Sequence, residues 1–171
     1  MNFLDTNIWV ELLVTKTPQQ PHEIRQAQLA SNLITNLQKN KEIIVTCKEQ
    51  MLELINSIQK VKRREYNRIY KANGKNGIGS VKELRKIEEF TDVISICKMA
   101  INDLKNMAKV EYSIERPIDC VIERIFQDLK FVDITDSIYL DFCMEKKIKF
   151  YTFDKEIKGL APDNELVILL K

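Results

Sequence analysis

Phe3 and Leu4 form a short apolar run that stops at Asp5, Thr6 and Asn7, and Ile8, Trp9 and Val10 then resume it. The first run predicts a buried strand over "NFLD", and the second a helix through "IWVELL". Two prolines in "TKTPQQP" mark a loop. From Glu23 to Lys39, Ile24, Ala27, Ala30, Leu33, Ile34 and Leu37 recur at helical spacing. "EIIVT", dominated by β-branched residues, predicts a second strand. A long helix is expected from near Cys47, with Met51, Leu52, Leu54, Ile55, Ile58 and Val61 as a broad apolar face. It runs on into "KVKRREYNRIYK" and is broken by "NGKNGIGS", the flexible tip of a hairpin. Ser80 and Glu83 then read as a capping box. Leu84, Ile87, Ile94, Ile101 and Leu104 mark a second long helix that ends before "VEYS". Pro117 fits the first turn of another helix, with Ile118, Val121, Ile122, Ile125 and Phe126 as its buried stripe. "KFVDI" reads as a third strand, Thr135 as the cap of a helix over "DSIYLDFCMEKK", and "IKFYTFD" and "ELVILLK" as the last two strands.

Strands alternating with helices imply a parallel α/β sheet. The chain, 1–171, is expected to be a single domain, with 59–115 as a long helical hairpin inserted into it. Hydrophobic residues make up 44% and charged residues 30%, as in a soluble globular protein. No apolar run approaches the roughly 20 residues of a membrane span, and the first residues lack the layout of a signal peptide. A cytoplasmic location is the expectation.

The four cysteines, Cys47, Cys97, Cys120 and Cys143, lie far apart and form no CxxC pair, which argues for free thiols rather than a zinc site. His22 is the only histidine and reads as a surface residue, so Ser/His or Cys/His nucleophilic chemistry finds little support. Net charge is only +2, but its distribution is uneven. From Lys60 to Lys86 a dense run of lysine and arginine is opposed only by Glu65 and Glu83. Lys60, Arg64, Arg68 and Lys71 share one helix face, with Tyr66 and Tyr70 interleaved. Such a stripe suits a phosphate backbone, with tyrosines free to stack on bases, or else a merely solvated face.

Acidic residues fall where strands end. Asp5 ends the first strand, Asp154 ends "FYTFD", Asp136 opens the helix after "KFVDI", and Glu53 lies on the helix after "EIIVT". Ligands of an open parallel sheet gather outside the carboxyl ends of its strands. Carboxylates brought together there repel one another, and a divalent cation removes the penalty. Oxygen ligands without His or Cys select Mg²⁺ or Mn²⁺, and the chemistry implied is phosphate ester cleavage by an activated water. Asp133 competes with Asp136 for this role, and Glu49 with Glu53. Asp5 as a helix cap and Glu53 as a solvated acid are the competing structural readings.

The ordered set resembles the PIN-domain nucleases, among them the toxins of bacterial toxin–antitoxin pairs. Asp5-Thr6-Asn7 looks like the opening motif, "TCKEQMLELINSI" like the second with Glu53 in the acidic place, and Asp136 with "TFD" at 152–154 like the third and fourth. The resemblance covers both ends of the chain and the segment around Glu53, but not 59–115. Tyr139, Asp141 and Cys143 stand where the family usually carries small residues. It implies a three-layer PIN-like fold and an endoribonuclease acting on single-stranded or structured RNA. Asp5, Glu53, Asp136 and Asp154 would be catalytic and hold Mg²⁺ or Mn²⁺, with Asn7 and Thr152 in support. Thr6 reads mainly as a turn residue. Lys60, Arg64, Arg68 and Lys71 would contact RNA, a small antitoxin and a second copy are the protein partners implied, and no membrane is involved. A toxin and a defence or RNA-processing nuclease both fit. The alternative is a non-catalytic RNA-binding or assembly module on the same fold.

Overall fold

A computed structural model describes residues 1–14, 16, 20–114 and 118–171, without the side chains of 118–121. In chain order the elements are β1 (Asn2–Leu4), α1 (Thr6–Leu13), α2 (Pro21–Lys39), β2 (Ile44–Cys47), α3 (Lys48–Ala72), α4 (Val81–Leu84), α5 (Phe90–Met107), β3 (Val110–Tyr112), α6 (Ile118–Asp128), α7 (Ile134–Lys146), β4 (Lys149–Thr152), α8 (Lys155–Leu160) and β5 (Val167–Leu169). The strands form one sheet in the order β3-β2-β1-β4-β5, and every pairing is parallel. The order reverses between β1 and β4, and such a reversal opens a crevice at the carboxyl ends of the two strands.

Strand alternation divides the interior. Leu4, Ile44 and Tyr151 face a cluster built with Ile8 and Trp9 of α1, Leu37 of α2, Leu54 and Ile58 of α3, and Leu104 of α5. Phe3, Val45, Phe150 and Val167 face the opposite cluster, with Tyr139, Leu140, Phe142 and Cys143 of α7 and Ile157 of α8. Helices therefore cover both faces, and a parallel sheet covered in this way reads as short, almost unbroken apolar runs. Phe3 is the centre of the second cluster, with ring centroids 5.1 Å from Tyr139, 6.0 Å from Phe142 and 5.6 Å from Phe150. Among the described residues no helix is long and apolar enough to cross a membrane.

Several expectations are corrected. "KFVDI" is not a strand. Val132 and Phe131 donate backbone bonds to Asp128 in the turn that closes α6, and Phe131 is 55% exposed. The remaining strand is Val110–Tyr112, which pairs in register with Val45, Thr46 and Cys47 at the sheet edge. Thr135 is not a cap, because α7 begins at Ile134 with Asp133 in the N-cap position. The expected helix from Ser80 to Leu104 is interrupted. The capping box forms, but Lys86, Ile87, Phe90, Thr91 and Asp92 donate to carbonyls only three residues back, in tight turns between α4 and α5. The stripe on α6 is not buried. Ile122 and Phe126 are exposed, and α6 is tied to α7 through the buried Asp128, which accepts from Ser137 Oγ at 2.8 Å and Arg124 Nε at 3.0 Å. Pro117 and the side chains of Ile118, Val121 and Cys120 lie outside the described residues.

The segment 59–115 supplies more than a hairpin. Val93, Ala100 and Leu104 of α5 pack into the core beside α1 and α3, and residues 110–112 are the edge strand. Cys47 and Cys143 are buried free thiols, and His22 is exposed.

Gln50 fixes the start of α3 against the end of β1. Its buried amide donates to the Leu4 carbonyl at 2.6 Å and accepts from Thr46 Oγ1 at 2.9 Å. Gln50→Leu strands that carbonyl without a donor, so urea denaturation should show a loss of about 1–3 kcal/mol.

Candidate functional site

Asp5 stands where β1 hands over to α1, directly beside the crevice. It occupies the N-cap position of α1, where the backbone amides of Thr6 and Asn7 favour its ionised form. The residue is 2% exposed. Thr152, at the end of β4, donates its hydroxyl to Asp5 Oδ2 at 2.7 Å, and the same oxygen of Thr152 accepts the Asp154 amide at 2.8 Å. One hydroxyl thus joins the ends of the two strands that flank the crevice. Burial pushes the Asp5 carboxyl up to about 6, the Thr152 bond moderates the rise, and the charge of Glu53 adds to it.

Glu53, on α3, is held by two hydroxyls on one oxygen. Thr6 Oγ1 donates to its Oε2 at 2.6 Å and Tyr139 Oη at 2.8 Å. A buried tyrosine requires a partner for its hydroxyl, and the Tyr139 ring sits fully buried in the cluster around Phe3. Tyr139 therefore fixes the Glu53 carboxylate from the core side. Thr6, read from sequence mainly as a turn residue, takes part in the same clamp.

Asp136 lies in the first turn of α7 and is half-buried. Burial first, and then the charges of Asp5, Glu53, Asp154 and Asp133, push its carboxyl up to about 8. Asp154 caps α8, accepting the Glu156 amide on Oδ1 at 2.7 Å. Acids from β1, α3, α7 and the β4–α8 turn thus lie within electrostatic reach of one another. Asp133 also borders the cleft, but it is exposed. Glu49 does not line it. Its buried Oε2 has no partner among the described residues, and it lies beside Cys47, whose thiol burial pushes up to about 12.

Glu53, Asp136 and Asp154, with Glu11 and Glu156, line a cleft of about 710 Å³ that also bears Asn7, Ser57, Phe153, Lys16, Lys60 and Arg64, whereas the buried Asp5 is not among its lining residues. Asn7 is exposed at its rim, and no Asn7 side-chain bond to Asp5 forms. The basic face of α3 divides in two. Lys60 and Arg64 enter the acidic cleft, and Arg64 continues with Arg68 and Lys16 into an adjoining groove of about 320 Å³. Lys71 is exposed and lines neither. The tyrosines are not free to stack. Tyr66 packs on the core, and Tyr70 donates to Glu89 at 3.2 Å while Lys75 sits 5.0 Å above its ring.

Oxygen donors alone, crowded and mutually repelling, suit a hard divalent cation in type and charge. As the side chains stand, no group of three or more His, Cys, Asp or Glu among the described residues is gathered closely enough to hold a metal ion. Sequence reasoning missed Tyr139 and Lys16. The signal for Tyr139 was a phenol hydroxyl on a buried helix face whose only other polar member is Ser137. No protein-family model matches the chain, and no curated protein matches it in sequence.

The raised carboxyls carry a pH dependence. Asp5 at about 6 and Asp136 at about 8, against 3.8 when free, bind protons more tightly folded than unfolded. The stability they contribute is complete below about pH 4 and is lost as pH rises through the two folded values. In chelator, the melting temperature should therefore fall between about pH 5 and pH 8. Asp136→Asn should remove most of the fall, and Mn²⁺ should reverse it in the wild-type chain.

Proposed function

We propose that this chain is a Mg²⁺- or Mn²⁺-dependent endoribonuclease of the PIN type. The single observation carrying this reading is that carboxylates from four separate segments lie near the carboxyl ends of β1 and β4, three of them, Glu53, Asp136 and Asp154, lining one cleft that also bears Lys60 and Arg64. Carboxylates brought near one another are costly without a counter-ion, and a cleft that carries both acids and cations would suit a divalent cation together with a phosphodiester.

In this reading Asp5, Glu53, Asp136 and Asp154 hold the cation. When bound, it supplies charge neutralisation on the phosphate and acidifies the attacking water. Thr152 orients the buried Asp5 carboxylate, and Thr6 with Tyr139 fixes Glu53, so that the acids keep their directions without relying on the ion. Lys60 and Arg64, which line the same cleft, would neutralise and position the phosphate. In-line attack leaves a 5′-phosphate and a 3′-hydroxyl. As a toxin the chain would pair with a small antitoxin; as a defence or RNA-processing nuclease it would act alone or as a homodimer. Free thiols at Cys47, Cys97 and Cys143 suit a reducing cytoplasm. A non-catalytic RNA-binding module is the second reading, favoured by the basic stripe continuing beyond the cleft to Arg68.

Purified protein incubated with mixed single-stranded and structured RNAs should cut them only with Mn²⁺ or Mg²⁺. Asp5→Asn and Asp136→Asn should each reduce cleavage by about 100-fold or more, and Asp133→Asn by only a few-fold. Cleavage that survives Asp136→Asn but not Asp133→Asn would reassign the third acid. RNA binding without any metal-dependent cleavage would leave the binding module.

A further inference from the structure

The groove along the basic stripe of α3 meets the acidic cleft at Lys16, Val61 and Arg64. A larger groove, about 930 Å³, opens between α2 and α8 and meets the cleft at a different set of residues. It is continuous with the cleft, because Gln26, Phe153 and Lys155 line both. Its charge is one-sided. His22, Arg25, Lys155 and Lys158 border it, and none of the described residues lining it is acidic. Arg25 and Lys155 are exposed, and Lys158 is held in place by donating to the Asn164 carbonyl at 3.0 Å.

Phe153 marks the junction. It is half-buried between Thr152, which clamps Asp5, and Asp154, which belongs to the acidic set. Phe153, like Tyr66, packs partly against the core, but it also lines both the cleft and the groove, so the part of its ring that borders them is placed to meet a base as the phosphates pass alongside. A cleft joined by a single cation-bearing groove suits the end of a strand. Two cation-bearing grooves that meet the cleft at separate sets of residues suit a strand that passes through.

We propose that the groove between α2 and α8 is the second arm of a single-stranded nucleic-acid track. It binds the nucleotides on the far side of the bond at the acidic cleft, with phosphates on Arg25, Lys155 and Lys158 and a base on Phe153. The inference rests on the reading of the cleft as the cutting site, and it accounts for internal rather than terminal cutting.

The test is fluorescence anisotropy of the full chain, in chelator, with a labelled single-stranded RNA of about 15 nucleotides. Arg25→Ala/Lys158→Ala should weaken binding about tenfold or more and reduce the slope of log affinity against log salt by about 0.7 for each phosphate-binding cation removed. The charge-preserving pair Arg25→Lys/Lys158→Arg should restore both. Phe153→Leu, which keeps bulk but removes the ring, should weaken binding about fivefold. Wild-type affinity and slope in the alanine pair would overturn the second arm, and if Mn²⁺-dependent cleavage persisted the nuclease reading would stand without it. Loss of binding in the alanine pair but not the charge-preserving pair, with no cleavage by the wild-type chain, would uphold the arm and reject the nuclease.

Discussion

Repulsion among buried carboxylates is the constraint on which the rest of this structure turns. Asp5 is almost wholly removed from water, and Asp136 feels the charges of Asp5, Glu53, Asp154 and Asp133 at once. Left alone, such a group resists ionisation, and both carboxyls are displaced upward accordingly. Among the described residues no lysine or arginine pairs with Asp5. The chain uses neutral hydroxyls instead: Thr152 on Asp5, and Thr6 with Tyr139 on Glu53. Neutral donors fix the direction of an oxygen without cancelling its charge, which leaves the negative field available to a cation.

The sheet makes that crowding unavoidable. β1 and β4 are neighbours with helices departing to opposite faces, so their carboxyl ends share a crevice that no crossover covers. Register decides which side chains reach it. Phe3 opposite Phe150 and Leu4 opposite Tyr151 bring Asp5 level with Thr152. A slip of one residue would turn each strand's faces over, and Gln50, pinned between Leu4 and Thr46, opposes that movement from α3.

Much of this was legible in the chain. Strands β1, β2, β4 and β5 announce themselves as short apolar runs, and Asp5 and Asp154 stand visibly at strand ends. Where reading failed, the physics was not local. Val110–Tyr112 is three residues at a sheet edge, too short for any periodicity, whereas "KFVDI" has strand composition but no strand to pair with. Thr135 and Asp133 are both capable caps, and the backbone turn after Asp128 selects the earlier one. Tyr66 and Tyr70 alternate with the basic residues in sequence, but residues two apart on a helix point different ways; Tyr66 packs on the core and Tyr70 is engaged by Glu89. The groove cations Arg25 and Lys158 come from α2 and α8, so no charge run in the sequence signals them.

The most direct test of the central claim is a Mn²⁺ titration followed by electron paramagnetic resonance, on the wild-type chain and on Asp5→Asn. The expected result is saturable binding by the wild type, weakened about tenfold or more when the buried carboxylate is neutralised. Absence of saturable binding, or equal binding by Asp5→Asn, would contradict a cation held at the ends of β1 and β4.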